Sequence, residues 1–339
     1  MLDVTGWKLP PQLRASQPPE LRGLRRDHVR LMVIDRTSGL ITDTRFDRIG
    51  DFLGPGDLLV VNTSRTLPAA IPARRQDGSP VQLRPSVRRG RQWDALAVQP
   101  IPPHANVPLA AGERLALAGT EATVEGRRAD IPLLWRIRLD EDGLDRLLSA
   151  GEPIRYSYVP SPISLDFYQT VYATHPGSAE APSAGLAFTW ELLLALEGRG
   201  IGIAGIVLHT GLSSFQDDAF DAEHHMYEEW FEVSTQAAAA VARAQRVIAV
   251  GTTVVRALET AVDRHRHVRA VAGWTDLKIS PAHRPRVVNA LLTGFHEPQA
   301  SHFELLQAFA DRDLLARAYA EAVDRRYLWH EFGDTMLIL

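Results

Sequence analysis

The chain has no cysteine among its 339 residues. That excludes disulfides, thiolate nucleophiles, and zinc or iron–sulfur sites built on cysteine. Also missing is any apolar run long enough for a membrane helix. The start has no basic stretch leading into an apolar one, the pattern of a secretory signal, so a cytoplasmic location is expected. Nor is there an excess of positive charge: 37 Lys+Arg against 41 Asp+Glu give a formal net charge of -4. This argues against wholesale non-specific nucleic-acid binding and leaves room for a local basic patch. Two arginine clusters offer one. The first is Arg22, Arg25, Arg26 and Arg30; the second joins Arg74 and Arg75 to Arg84, Arg88, Arg89 and Arg91. Each can meet phosphate, or can simply be a solvated arginine-rich face.

Apolar residues make up 45% of the chain, and its length suffices for a sizeable core and two domains. Pro10, Pro11, Pro18 and Pro19 predict an irregular lead-in. "HVRLMVIDR" reads as a buried strand with "SGLITDTRF" as its hairpin mate, turning at Ser38–Gly39. The Pro55–Gly56–Asp57 turn feeds an apolar strand from Leu58 to Val61. From Thr66 to Arg138 the character changes to short alternating runs such as "RLALA" and "WRIRL", punctuated by turn residues. This predicts a small antiparallel β-barrel domain, 66–138, inserted in a larger α/β domain made of 1–65 and 139–339. In the latter, "FTWELLLALEGRG" and "STQAAAAVARAQ" read as capped helices, and "IGIAGIVLH" and "RVIAVGTT" as buried strands. Strand–helix alternation of this kind implies a mainly parallel or mixed sheet covered by helices.

Five stretches carry polar groups where such a sheet would expose them. "VVNTSRTLP" puts Asn62, Thr63, Ser64 and Arg65 at a strand end, where Arg65 can hold a carboxylate or phosphate bidentately. "PGSAEAPSAGLAFT" (176–189) is a small-residue loop before a helix, with Gly185 in it; its N–H groups can receive an anion, although it is neither a P-loop nor a G-x-G-x-x-G fingerprint. "IVLHTGLSSF" ends a strand at His209, and "DAEHHMYEEWFEVS" adds His224, His225, Glu228 and Glu229. Imidazoles and carboxylates are the usual proton carriers near neutral pH, and the spacing is not the H-E-x-x-H of a metal helix. "AVGTTVVRALE" presents Thr252 and Thr253 between strand and helix, with Arg256 one turn on and Glu259 spaced to pair with it across the helix surface. "TGFHEP" places His296 after a strand. For each, the plain alternative is a helix cap, a closing loop or a packed histidine.

Taken in order, these strings resemble the S-adenosylmethionine:tRNA ribosyltransferase-isomerase family of queuosine biosynthesis. Its Asn-x-x-Arg-x-x-Pro-Ala appears as Asn62, Arg65, Pro68 and Ala69. Its Tyr-Gln-Thr-x-Tyr-Ala, Pro-Gly-Ser and Ala-Pro-Thr-Ala-Gly-Leu-His-Phe-Thr strings appear as Tyr168 to Ala173, Pro176 to Ser178, and Ala181 to Thr189. Its Leu-His-x-Gly-Leu and Val-Gly-Thr-Thr-x-Val-Arg appear as Leu208 to Leu212 and Val250 to Arg256. Thr293 to Pro298 and Phe332-Gly333-Asp334 before Met336 complete the series.

The resemblance implies a large α/β domain with an inserted β-barrel. It implies S-adenosylmethionine as co-substrate and ribosyl donor, no metal, and a tRNA partner whose wobble base is 7-aminomethyl-7-deazaguanine. Epoxyqueuosine, adenine and methionine would be the products. It also implies proton transfer among His209, His224 and Glu229, anion contact by Arg65 and Arg256, and a nucleoside cradle at Gly185, Thr252, Thr253 and His296. Oligomeric state stays open, a monomer included.

The chain departs from the family strings at named positions. Ser183 and Ala187 replace Thr and His, Ser213–Ser214 replace Gly-Thr, and Tyr227 replaces a second His. Ala282–His283 replace Gly-Tyr, Gly294 replaces Asn, and Gln299–Ala300 replace Lys-Ser. A paralogue with a different acceptor, or a non-catalytic RNA-binding or structural paralogue, are the competing readings.

Overall fold

The computed structural model describes residues 9–141, 144–213, 215, 227–296 and 301–339. The strands run β1 (Arg30–Asp35), β2 (Leu40–Arg45), β3 (Asp57–Asn62), β4 (Ser64–Thr66), β5 (Ile71–Arg75), β6 (Pro80–Arg89), β7 (Gln92–Val98), β8 (Arg114–Leu117) and β9 (Thr120–Arg127). Then come β10 (Leu134–Leu139), β11 (His175–Ser178), β12 (Gly202–Leu208), β13 (Glu229–Val233), β14 (Arg246–Val250), β15 (Val271–Thr275), β16 (Ala290–Gly294) and β17 (Thr335–Ile338). Among the described residues, nine of them form one mixed sheet in the order β15-β13-β12-β3-β14-β16-β17-β1-β2. Its middle is parallel: β12, β3, β14 and β16 all point the same way. Their carboxyl ends therefore line one edge, at Leu208, Asn62, Val250 and Gly294.

Every residue of β3 is buried, as expected for an apolar strand covered on both faces. Gly56, at φ 90°, makes the tight turn into it. The Asp57 carboxylate closes that turn by accepting the Gly54 N–H at 2.8 Å and the Arg246 Nε–H at 2.9 Å, which ties β3 to β14. Helices Thr235–Arg243, Thr252–Ala261 and Arg312–Asp324 pack on one face through Val241, Leu258 and Leu315. Helix Trp190–Gly198 and the 3-10 turn Phe46–Phe52 cover the other through Leu193, Leu196 and Phe46. Thr189 and Ser234 cap their helices as expected, accepting from Leu192 N and Ala237 N at 3.1 Å.

Strands β5–β10 close into a six-stranded barrel in the order β10-β7-β6-β5-β8-β9, as the alternating runs predicted. Trp93, Leu83, Leu115 and Ile137 fill it. Strand β6 is longer than its proline suggested: it passes Pro85 with a register shift between Pro85 and Val87 and continues to Arg89. Barrel and sheet share a smaller core of Leu67, Val87, Leu96, Ala179, Leu212 and Tyr227. Between them lies a neck, the parallel pair β4–β11. No helix among the described residues is long and apolar enough to cross a membrane.

Candidate active site

Asn62 ends β3 between β12 and β14, the crevice position of an open α/β sheet. Its buried amide stitches the site together. Nδ2 donates to Leu208 O at 2.8 Å and to Thr253 Oγ1 at 3.4 Å. Oδ1 accepts from Leu208 N and Ser64 N, both at 3.0 Å. One side chain thus fixes the ends of β3 and β12 and the first turn of helix Thr252–Ala261.

His209 follows β12 directly. Its Nδ1 lies 2.8 Å from Ser64 Oγ, which lies 2.6 Å from Ser178 Oγ. Ser178 Oγ also accepts the Thr210 N–H at 3.0 Å. The ring stacks against Trp230 with centroids 5.1 Å apart. Gly177 makes this fit: a Cβ there would stand 2.1 Å from His209 Nδ1. Desolvation, aided by the nearby charges of Arg88 and His175, lowers His209 to about 4. The imidazole is therefore neutral at pH 7, and among the described residues no hydrogen bond reaches its Nε2.

Arg88 reaches this site from the barrel. It is half-buried, donates from Nη2 to Gly177 O at 3.2 Å, and forms no ion pair among the described residues. Desolvation lowers its pKa. A guanidinium held in protein without a carboxylate is a ready anion receptor. The sequence placed Arg88 only in a basic cluster; the closure of β6 into the barrel brings it to His209.

Glu229 and Arg256 meet each other. Glu229 Oε1 accepts the Gly211 N–H at 2.7 Å, and Oε2 pairs with Arg256 Nη1. Arg256 also donates to Leu277 O at 2.9 Å and Thr275 O at 3.2 Å. Both side chains are buried. The expected Arg256–Glu259 pair does not form. Glu259 is instead buried with its carboxylate accepting backbone N–H groups of Arg286, Val287 and Val288 at 2.9–3.2 Å.

Thr252 and Thr253 open their helix after Gly251, whose φ of 93° bends the chain out of β14. Gly185 lies in the turn Ser183–Gly185, where a Cβ would stand 1.9 Å from the Tyr172 hydroxyl. Arg65 is exposed on the neck, without an ion pair among the described residues. His296 Nε2 lies 3.4 Å from Thr293 Oγ1. His209, Thr253 and, through Gly211, Glu229 thus lie around one strand-end crevice. His224, His225, Ser214, Gln299 and Ala300 lie outside the described residues.

Two of the departures that lie among the described residues, Ala187 and Tyr227, each stand where the resembled family has an imidazole. Ala187 is buried and lines a cleft with Arg26, Phe167, Leu186, Glu331 and Phe332. The Tyr227 hydroxyl is tied to the Leu212 backbone, donating to its carbonyl at 2.6 Å, which occupies it structurally. The first arginine cluster is largely neutralised: Arg25 pairs with Asp27, Arg26 with Glu20 and Arg30 with Asp43. In the second, Arg75 pairs with Glu113 and Arg89 with Glu228. Among the described residues, no three metal-ligating side chains converge.

Comparison with known proteins decides the family. A family described as "Queuosine biosynthesis protein" matches residues 3–338. The chain belongs to this family. It is 40% identical, over 99% of its length and 97% of the relative's, to the S-adenosylmethionine:tRNA ribosyltransferase-isomerase of Rubrobacter xylanophilus. With the protein of the same name from Moorella thermoacetica it shares 37% identity over 98% of each chain. The crystal structure of S-adenosylmethionine tRNA ribosyltransferase from Thermotoga maritima matches 99% of this chain and 100% of its own, with 29% identity and a TM-score of 0.55. These relatives are enzymes by name, and the chain is a member of that enzyme family.

Proposed function

We propose that the chain transfers and isomerises the ribosyl group of S-adenosylmethionine onto 7-aminomethyl-7-deazaguanine in tRNA. Adenine and methionine leave, and the base that remains in the tRNA is epoxyqueuosine. The observation that carries this reading is a neutral His209, braced by Ser64 and Ser178, at the strand ends of a chain that matches the family from end to end. The sulfonium of the donor acidifies the adjacent C5′ protons. A neutral imidazole with one free nitrogen can take such a proton. In this reading His209 is the base, and His224 is its nearest candidate helper by sequence. Glu229 and Arg256 act as positioning residues: their charges compensate each other and hold the Gly211 backbone beside His209. Arg88 and Arg65 hold the anionic groups, the methionine carboxylate or a tRNA phosphate. The helix start at Thr252–Thr253 and the turn at Gly185 bound the nucleoside, with His296 at the rim. Residues 66–138 are the inserted unit of this scheme, and 1–65 with 139–339 the body that carries the crevice.

The test is mass spectrometry after mixing the chain with S-adenosylmethionine and tRNA carrying the aminomethyl deazaguanine. Adenine together with an epoxide-bearing base is expected. Adenine without that base would favour the second reading, the same donor with a different acceptor. Ala187 and Tyr227 speak for that alternative, because neither supplies the imidazole of the resembled family. No adenine and no product would sink both.

A further inference from the structure

A second cluster of polar groups lies beside the crevice. Residues Ser178–Glu180 run alongside Thr210–Ser213. Ala179 N donates to Thr210 O at 2.7 Å, and Ser213 N donates to Glu180 Oε1 at 3.0 Å. Ser178 braces the His209 site, so Glu180 is two residues from it. Tyr156 joins here, its hydroxyl 2.8 Å from Ser213 Oγ and bonded to Glu180. Its ring lies parallel to Tyr158, with centroids 5.7 Å apart and planes 5° apart. Tyr158 in turn stacks on His330 at 4.4 Å and donates its hydroxyl to Glu331.

These side chains form a ladder of three rings with a carboxylate at the hydroxyl end of each tyrosine. Tyr156, Tyr158 and Glu180 are half-buried, so each keeps part of its side chain at the protein surface. No arginine or lysine forms an ion pair with Glu180 or Glu331 among the described residues, although the Arg84 charge is near enough to be felt at Glu180. Desolvation lifts Glu180 to about 7, and the charge of Glu331 adds to the effect. A ligand that brings N–H donors or positive charge relieves that penalty.

We propose that this half-buried cluster receives the planar base of the acceptor nucleotide, stacked on the Tyr156–Tyr158 ladder with its N–H groups donated to Glu180 and Glu331. The inference rests on the tRNA reading above. A 7-aminomethyl-7-deazaguanine offers a flat ring for stacking, adjacent N1–H and amino donors that match one carboxylate bidentately, and a cationic aminomethyl group. Adjacency to Ser178 sets the base beside the His209 crevice, where the donor's ribosyl group must arrive. Ser213 stands where the resembled family carries glycine, and its hydroxyl meets Tyr156. This departure thus shapes the acceptor side of the site.

The experiment compares Tyr156→Ala, Tyr156→Phe and Glu180→Gln with wild type in the full chain. It reads KM and kcat for tRNA bearing the aminomethyl deazaguanine, and separately the Kd of S-adenosylmethionine by equilibrium dialysis. Tyr156→Ala and Glu180→Gln should raise the KM for tRNA by about 10- to 100-fold, the scale of a lost stack or paired edge. The donor Kd should stay within about twofold, and Tyr156→Phe, which keeps the ring, should lie nearer wild type. If Tyr156→Ala does not fold, the other two variants carry the test. An unchanged tRNA KM, or a loss confined to donor binding, overturns the inference while the proposed reaction stands. If wild type gives no turnover, the reaction fails, and binding of free 7-aminomethyl-7-deazaguanine tests the cluster. Binding lost in Glu180→Gln upholds it; equal binding, or none by wild type, overturns it.

Discussion

Glu229→Gln removes a charge and almost nothing else. The glutamine can still accept the Gly211 N–H that Glu229 Oε1 takes at 2.7 Å. What it cannot do is neutralise Arg256, a residue 8% exposed whose other hydrogen bonds among the described residues go to the carbonyls of Thr275 and Leu277. Stripping one partner from a buried ion pair costs about 3–5 kcal/mol, because the remaining charge stays desolvated. For a cooperative unit of this size that is about 1–2 °C per kcal/mol, or a fall in Tm of about 3–10 °C. Glu229→Ala should fall further by about 1–3 kcal/mol, since it also orphans the Gly211 N–H. Combining Glu229→Gln with Arg256→Met removes both charges and should recover much of the loss. Differential scanning fluorimetry and urea melts of wild type, Glu229→Gln, Arg256→Met and the double variant form a double-mutant cycle. Full additivity, or a Tm for Glu229→Gln within about 1 °C of wild type, would refute the argument that the pair exists to compensate buried charge. A fully stable Glu229→Gln that releases no adenine would refute it differently, by making Glu229 a proton carrier.

Gly177→Ala drives a methyl into His209, 2.1 Å from Nδ1; displacing the ring by about 1 Å should cut kcat/KM for adenine release by about 100-fold. His209 is lowered to about 4 from its usual 6.5, so the unfolded chain takes up the proton first as pH falls. Its contribution to stability is present above 6.5 and lost between 6.5 and 4, and urea melts should show wild type losing more than His209→Gln across that window. Arg88→Met removes a positive charge that holds the imidazole down, so the acidic limb of the rate profile should move up toward 6.5; an unmoved limb would detach Arg88 from His209. Glu259→Leu removes the acceptor of three backbone N–H groups and should cost about 3 kcal/mol in urea melts with little effect on donor binding.

The body of the fold was legible because its signals are local. β3 is a continuous apolar run behind a Pro-Gly-Asp turn, and Thr189 and Ser234 cap helices that begin where they should. The candidate site was legible only in pieces. Asn62, Ser178 and His209 stand on three segments, and nothing in their spacing states that Ser64 joins them. Helical spacing offered Glu259 to Arg256, but the partner comes from β13, 27 residues upstream, because tertiary packing turned that face inward. Arg88 read as surface charge until barrel closure set it against Gly177. Tyr156 belonged to no string and Glu180 went unremarked within 176–189, since stacking and carboxylate–hydroxyl pairs leave no periodic trace.

The neck has a mechanical consequence. β4 and β11 join barrel to sheet, and they also carry Ser64 and Ser178, the two hydroxyls that brace His209. The barrel is thus a lever whose fulcrum is the imidazole's own support. A load that tilts it, such as a large RNA resting on both units, would bear on a 2.6 Å contact and a 2.8 Å contact.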